Sequence, residues 1–380
     1  MITRIRKHPQ LAARVTDVET AHGAFTTPAF MPVGTRAAVN CMTAHELNEA
    51  GSSIILGGNT YHMLVSPGME FIQHAGGMHQ MMAWQKPMLT DSGGYQVFSL
   101  SRDSKICKID EVGAKFKHPE TGKIISMSPK ESIEAQKIIG ADIIMAFDQC
   151  TPEEGGYAAA EQAMVRTHRW LLESIEAHQR QPSAEYGFKQ YLFGIIQGGS
   201  FRELREQSMR FVSSCDVDGI AIGGESIGYR MDKTAEILDW VVPHLPENKT
   251  RYTMGVGMHP QDLIDVVARG VDIFDCVAPT RNARHGALIC GRPVIKEGWV
   301  HFENLAERAR ILIKKAEFSR DNGPIAEGCD CYTCLHHSRS YMHFLFKSHS
   351  LLYAPLACIH NIRMMHKTCE VMREAIAHPG

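Results

Sequence analysis

The sequence predicts an α/β fold, a (β/α)8 barrel, on three observations. Eight short apolar runs punctuate the first 280 residues, helix-like stretches separate most of them, and several runs end on a polar residue or a glycine pair. The runs are AFMPVGT (29–35), SSIILGGN (52–59), PMLTDSGG (87–94), DIIMAFDQ (142–149), LFGIIQGG (192–199), DGIAIGGES (218–226), RYTMGVG (251–257) and DIFDCVAPT (272–280). They are continuous rather than alternating, the pattern of strands buried on both faces. Helices read at 129–140, 158–178, 201–213, 232–242 and 260–269. In SPKESIEAQKII, Ser128 stands where an N-cap belongs and Pro129 takes the first helical position. A doubly wound open sheet is the competing architecture; the count of eight favours the barrel.

A chain of 380 residues suits one large barrel or two domains; the reading is a single barrel domain over 1–380. Charged residues at 22% and hydrophobic residues at 44% are those of an ordinary globular protein. The N-terminal MITRIRKHPQLAARV has no apolar h-region, so no signal peptide is expected. No run approaches the roughly 18 apolar residues of a membrane span. Eleven cysteines, scattered except for one cluster, point to a reducing cytoplasm and a metal site rather than a disulfide framework. Net charge is only −2, but it is unevenly spread: residues 281–380 carry +5 and residues 1–280 carry −7. A basic end on an acidic body can dock a polyanion; chance asymmetry is the plain alternative.

In such a barrel the active site forms at the C-terminal ends of the strands. Asp91, Asp148, Gln197, Gly224 and Asp275 all fall there, on different runs. One polar residue after a strand is ordinarily a turn former; five on one rim suggest a site. Gly93–Gly94, Gly198–Gly199 and Gly223–Gly224 would let backbone approach a ligand or simply make tight turns.

Cys329, Cys331 and Cys334 form the spacing C-x-C-x2-C in CDCYTC. Three thiolates so close need a soft cation, and tetrahedral Zn2+ is the usual one. A closed structural site needs a fourth protein ligand, for which His336, His337, His343, His349 and His360 are all candidates by spacing. The cluster follows the eighth strand. It therefore belongs to a zinc-binding insertion near the C-terminus, about residues 281–361, before a last barrel helix read at 360–378.

ILGGNTYHM, LTDSGGYQVFSL, MAFDQCTP, GIIQGG, AIGG, MGVG, FDCVAPTRNARHG and CDCYTC followed by HN together resemble the bacterial-type tRNA-guanine transglycosylase (queuine tRNA-ribosyltransferase) family over most of the chain. The resemblance implies a homodimeric, zinc-containing, cytoplasmic barrel enzyme. It would exchange guanine at the wobble position of GUN-anticodon tRNAs (Asp, Asn, His, Tyr) for a 7-deazaguanine. It implies Asp275 as nucleophile and Asp91 as general acid/base. Asp91, Ser92, Gly93, Gly94, Tyr95, Asp148, Gln197, Gly223, Gly224 and Met254 would hold the base, with Tyr95 and Met254 sandwiching it. Gly255, Val256, Gly257, Met258, His259, Pro260 and Gln261, with Thr280, Arg281, Asn282, Ala283 and Arg284, would contact the RNA. Cys329, Cys331, Cys334 and His360 would bind the zinc.

The chemistry follows from the residue types. A carboxylate can trap the oxocarbenium-like C1′ of the ribose as an ester. A second carboxyl group must protonate the departing base and deprotonate the incoming one. A third, Asp148, can accept from the N1–H and 2-amino edge of guanine. Cys150 either lines the pocket or only packs. The chain departs from the family pattern after the sixth strand, where GGESIGY replaces GGLxVGE, so that Glu225, Ile227 and Tyr229 stand where the resemblance implies selection between preQ1 and queuine. The glycine pair in ILGGN adds a residue that would shift the pocket wall. Two other classes compete: a non-catalytic tRNA-binding partner subunit, which would lose motif residues such as Asp91 and Asp275, and a barrel enzyme acting on a small phosphorylated metabolite.

Overall fold

The computed structural model describes residues 1–151 and 155–378; Pro152, which ends MAFDQCTP, lies outside them. Eight parallel strands form one sheet: β1 (Ala29–Pro32), β2 (Ile55–Asn59), β3 (Met88–Asp91), β4 (Ile143–Met145), β5 (Tyr191–Ile196), β6 (Gly219–Ile222), β7 (Thr250–Thr253) and β8 (Ile273–Cys276). Their hydrogen-bonded order is β1-β8-β7-β6-β5-β4-β3-β2. The ring closes between β1 and β2, where Val33 bridges Leu56 and the Gly34 N–H donates to the Leu56 carbonyl at 2.7 Å. The fold is the expected TIM-like barrel.

Strand side chains alternate between lumen and outer layer. Leu89, Ile143, Met145, Phe193, Ile195, Ala221, Tyr252 and Ile273 pack together inside. Their neighbours Ile144, Leu192, Ile196, Ile220, Ile222 and Phe274 join the larger cluster under the helices. An antiparallel sheet (Ile2–Lys7, Arg14–Thr20, Gly23–Thr26) sends Val18 and Phe25 into the lumen cluster, closing the N-terminal mouth. The open mouth is therefore the C-terminal one.

The five expected helices are present as α1 (Pro129–Ile139), α2 (Gly156–Arg180), α3 (Arg202–Ser214), α4 (Met231–Val241) and α5 (Pro260–Ala268). The start of α1 is a capping box: the Glu131 N–H donates to Ser128 Oγ at 3.4 Å and the Ser128 N–H to the Glu131 carboxylate at 2.9 Å. Four helices of six residues each (Ala44–Glu49, Thr60–Val65, Met69–His74, Gly77–Met82) are too short to show a period in sequence. A three-stranded antiparallel sheet (Cys107–Ile109, Ala114–Lys117, Ile124–Met127) also escaped the search for continuous apolar runs. Its middle strand is two-faced, with Ala114 and Phe116 buried and Lys115 and Lys117 exposed. The last helix, α6, spans Tyr353–Ala377 rather than starting at 360. Pro355 reads as a breaker, but in the first turn its missing N–H has no intrahelical partner to lose.

Buried ionic stitches fasten the closed end. Arg14 grips Asp272 with two guanidinium nitrogens at 2.9 and 2.6 Å and donates to the Glu247 and Lys249 carbonyls. Asp142, at the foot of β4, accepts from the backbone N–H of His22 (3.1 Å) and Met88 (3.0 Å) and from His22 Nδ1 (2.9 Å). It also faces His79 Nε2 at 3.2 Å. Burial alone would raise its pKa, but the bonds to His22 and His79 outweigh that and hold the carboxyl well below its usual range. A carboxyl with a depressed folded pKa stabilises fully above its unfolded value, about pH 4, and loses that contribution as pH falls further. Asp142→Ala should therefore cost about 3–5 kcal/mol at neutral pH. In urea titrations the gap to wild type should narrow as the pH is lowered below about 4; a gap independent of pH would contradict the assignment.

Candidate active site

The inward alternation carries past the apolar lumen to one more residue on several strands, and these residues floor a cavity of about 320 Å3 at the C-terminal mouth. Leu89 is followed inward by Asp91, Ile195 by Gln197, Tyr252 by Met254 and Ile273 by Asp275. Asp91, Ser92, Gly93, Gly94, Tyr95, Asp148, Cys150, Gln197, Gly224, Met254 and Asp275 all line it. The expected base-holding set is thus brought together, with Gly223 directly behind the wall. Cys150 is at the wall and almost fully buried.

Three carboxyl groups share this space. Asp275 Oδ1 accepts from the Tyr252 hydroxyl at 2.7 Å and the Gly255 N–H at 3.1 Å. Burial raises its pKa while those two bonds oppose the rise. Asp91 has weaker support, a 3.5 Å contact from Asn59 Nδ2. Burial, with the nearby Asp275 charge adding to it, pushes Asp91 up to about 8. Asp148 lies between Ser92 Oγ (3.1 Å to Oδ1) and Gln197 Nε2 (2.9 Å to Oδ2). Burial lifts it to about 6 against those two bonds. At neutral pH the floor therefore holds a protonated Asp91 opposite a hydrogen-bonded Asp275, with Asp148 ionised at the side.

Glycine is required at two wall positions. A Cβ on Gly94 would fall 2.3 Å from Asp148 Oδ1, and one on Gly224, at φ +135°, 2.6 Å from Arg205 Nη2. The added glycine of ILGGN is absorbed as a register shift between Leu56 and Gly58, after which Asn59 pairs with Asp91. The bulge puts Asn59 beside the floor, where it also donates to Gln96 Oε1 at 2.7 Å. Sequence reading missed Asn59, Gln96 and Tyr252. Tyr252 had a signal, since it lies two residues before Met254 on one strand face.

The residues expected to meet RNA divide. Gly255, Met258 and Arg281 line the main cavity, while Met258, His259, Pro260 and Asn282 line an adjoining one of about 270 Å3. Val256, Thr280 and Ala283 are buried, so their side chains face protein, and Gly257 is buried beside them. His259 caps α5 through Nδ1, Gln261 donates to Asp265, and Arg284 reaches back to the Thr280 carbonyl. Arg281 is exposed. At the rim, Glu225 is ion-paired with Arg102 and Tyr229 is exposed.

Away from the cavity, the sulfurs of Cys329, Cys331 and Cys334 lie 3.7, 3.4 and 3.3 Å from His360 Nδ1. A tetrahedral zinc with ordinary bond lengths would set these edges near 3.6 Å, so the geometry fits. His360 Nε2 bonds to the Ile289 carbonyl at 2.7 Å, which turns the Nδ1 lone pair toward the sulfurs. This selects His360, which sits in α6, from the five candidate histidines. The Cys3His group can hold a metal ion and is compatible with structural zinc. His22, His79 and Asp142 also place ligand atoms within 4.8 Å of one another. Their imidazoles, however, are stacked at 3.6 Å and 15°, so the ring lone pairs do not converge on one point.

The model of the family described as queuine tRNA-ribosyltransferase matches residues 10–379. The chain belongs to that family. A relative from Caldanaerobacter subterraneus subsp. tengcongensis named queuine tRNA-ribosyltransferase is 42% identical over 372 residues, 98% of this chain and 92% of the relative. Proteins of the same name from Bacillus cytotoxicus (42% identical, covering 98% of this chain and 91% of the relative) and Lysinibacillus sphaericus (43%, covering 97% and 89%) match similarly. The enzyme class that comes with the family is tRNA-guanine transglycosylase.

The raised pKa of Asp91 has a cost that can be measured. An acid whose folded pKa lies near 8 and unfolded pKa near 4 binds more protons when folded across that window. Stability therefore falls as pH rises through it. Asp91→Asn should be more stable than wild type at pH 8 by roughly 1–3 kcal/mol, with the gain fading toward pH 4. Chemical denaturation at the two pH values checks this; a destabilised variant at pH 8 would count against it.

Proposed function

We propose that this enzyme exchanges the wobble guanine of GUN-anticodon tRNAs (Asp, Asn, His, Tyr) for a 7-deazaguanine, preQ1 or queuine, by double displacement in queuosine biosynthesis or salvage. The observation that carries the reading is the unequal support of the two floor carboxyls: Asp275 is hydrogen-bonded on Oδ1, and Asp91 is pushed up to about 8. Oδ2 of Asp275 accepts no hydrogen bond from the described residues and is the oxygen free to attack C1′. As the C1′–N9 bond breaks and the C1′–O ester forms, Asp91 delivers its proton to the departing guanine. Asp91, now a carboxylate, takes the proton of the incoming base, whose nitrogen displaces Asp275 from C1′. Asp148 retains lone pairs beyond those used by Ser92 and Gln197, and these suit the N1–H and 2-amino donors of a guanine. Adenine would leave such groups unpaired at about 1–3 kcal/mol each. Tyr95, exposed at the mouth, can stack on the flipped-out base, with Met254 on its other face.

The RNA would lie across Met258, His259, Arg281, Asn282 and the basic C-terminal part. We assign residues 281–361 to a zinc-binding subdomain inserted in the barrel domain, holding one structural Zn2+ per chain. The metal needs no part in the chemistry, since an activated water would hydrolyse the ester. Five exposed apolar side chains, Tyr332, Leu335, Phe344, Leu351 and Leu352, favour a homodimer contact in this part. No described helix is long and apolar enough to cross a membrane, and we place the reaction in the cytoplasm. The choice of incoming base falls on the rim pair. Glu225 is paired with Arg102, so a cationic substituent would have to displace an exposed guanidinium, a contact worth about 0–1 kcal/mol.

Incubation with labelled guanine and tRNA tests the reading directly; no incorporation would leave a tRNA-binding partner subunit as the better account. Asp275→Asn should bind tRNA within about threefold of wild type, because phosphate contacts dominate affinity. It should yield no gel-stable RNA adduct, and an adduct in that variant would refute the nucleophile assignment. Metal analysis should return one zinc per chain, and Cys331→Ala should lose it together with at least ~3 kcal/mol of stability. A folded, metal-free protein of full stability would remove the structural role.

A further inference from the structure

Arg205, in the first turn of α3, is fully buried and is not paired with any described carboxylate. Its donors go to backbone instead. Nε bonds the Gly199 carbonyl at 2.7 Å, and Nη1 bonds the carbonyls of Ile196 (3.0 Å) and Gly223 (2.7 Å). Nη2 has no hydrogen-bond partner among the described residues and lies 2.6 Å from where a Gly224 Cβ would be. A single guanidinium thus ties together the loops after β5 and β6, the two loops that present Gln197 and Gly224 to the cavity.

A buried cation without an anion is costly. A bland cross-link between two loops would be met equally well by neutral donors. The direction of the bonds says more. The peptide between Gly223 and Gly224 is planar and trans, so a carbonyl held back toward Arg205 turns the Gly224 N–H the opposite way, toward the cavity that Gly224 lines. Burial lowers the Arg205 pKa only to about 10, so the group is cationic at neutral pH. Its charge lies directly behind that N–H, in a region of low dielectric where it acts strongly.

Resting on the base-exchange reading, we propose that Arg205 is a positioning residue for the departing and incoming base. It aims the Gly224 N–H at the carbonyl oxygen on the six-membered ring. Its charge also stabilises the negative charge that spreads onto that oxygen when C1′–N9 cleavage leaves the electron pair on the purine. The cation takes no proton and forms no bond to the substrate.

The test uses Arg205→Gln, which keeps amide donors and loses the charge, and Arg205→Lys, which keeps a charge with fewer donors. The readouts are single-turnover adduct formation, KM for tRNA, and the affinities of free guanine and of 2-aminopurine, which lacks the ring oxygen. Arg205→Gln should slow adduct formation by about 10- to 100-fold, the scale of removing one such donor. It should weaken guanine by a similar factor, while KM for tRNA and the affinity of 2-aminopurine stay within about twofold. Arg205→Lys should fall between the two enzymes. If Arg205→Gln does not fold, the same comparison on Arg205→Lys decides. Equal effects on guanine and 2-aminopurine, or none on either, overturn the inference while wild-type exchange stands. A wild type that exchanges no guanine overturns the base-exchange reading, and the inference with it.

Discussion

The repulsion between two carboxyl groups set on the floor of one small cavity is the constraint from which the rest of the molecule follows. Asp91 and Asp275 cannot both be charged there at low cost, so one proton stays. Where it stays is decided by hydrogen bonds rather than by identity, since both are aspartates. Tyr252 and Gly255 favour the ionised form of Asp275, and Asn59 offers Asp91 only a long contact. On the proposed reading, an acid and a nucleophile are thereby distinguished before any substrate arrives. A closed barrel serves this purpose well. Closure of the ring fixes the separation of Asp91 on β3 and Asp275 on β8, and the apolar lumen beneath them excludes the water that would level their pKa values.

Such a floor destabilises the fold, and the compensating ionic contacts lie at the other end. Arg14–Asp272 and the Asp142 cluster sit at the N-terminal mouth, each carboxylate filled by several donors. Both tie the N-terminal antiparallel sheet to the feet of barrel strands. The Cys3His group can do the equivalent for the C-terminal part, with three cysteines from one short segment and the histidine from α6, which packs against β1. Strain and charge are concentrated where chemistry is expected, and satisfied charge is kept where only stability is at stake.

The parts of this design legible in sequence were those with a period or a motif. Eight apolar runs marked the strands, and the residues at their ends pointed to Asp91, Asp148, Gln197, Gly224 and Asp275, because position in a run needs no tertiary information; Met254 came from the family resemblance. The cysteine spacing marked three candidate metal ligands and left five histidines open for the fourth; the family resemblance pointed to His360, and its distances to the three sulfurs with the Ile289 carbonyl behind it single it out in the structure. Elements held by long-range contacts stayed hidden. The 107–127 sheet is two-faced and short, and the bulge at Gly57 shows only once β2 is laid against β3. Arg205 falls within the helix read at 201–213 and carries no motif of its own. Its burial depends on three carbonyls that come from two other loops.

The cavity wall is accordingly rigid within and soft at its edge. Ser92, Asp148, Gln197 and Thr151 form one buried chain of hydrogen bonds, with Arg205 beneath the adjoining loops. Any change of shape there would strand several polar groups at once. The rim contrasts with this: the Arg102–Glu225 ion pair has an exposed guanidinium, and Tyr229 is exposed. On the proposed reading the purine-like head of a base meets the rigid part and its 7-substituent meets the soft part. Selection of the ring system is then set by buried donors and acceptors, whose mismatch is expensive. Selection of the substituent is set by contacts that solvent already weakens. Of the departures from the family pattern, Glu225 and Tyr229 fall on that second surface, while Ile227 is buried in the cavity wall. On that reading, sequence drift of this kind can alter which substituted base is accepted without disturbing the two floor carboxyls.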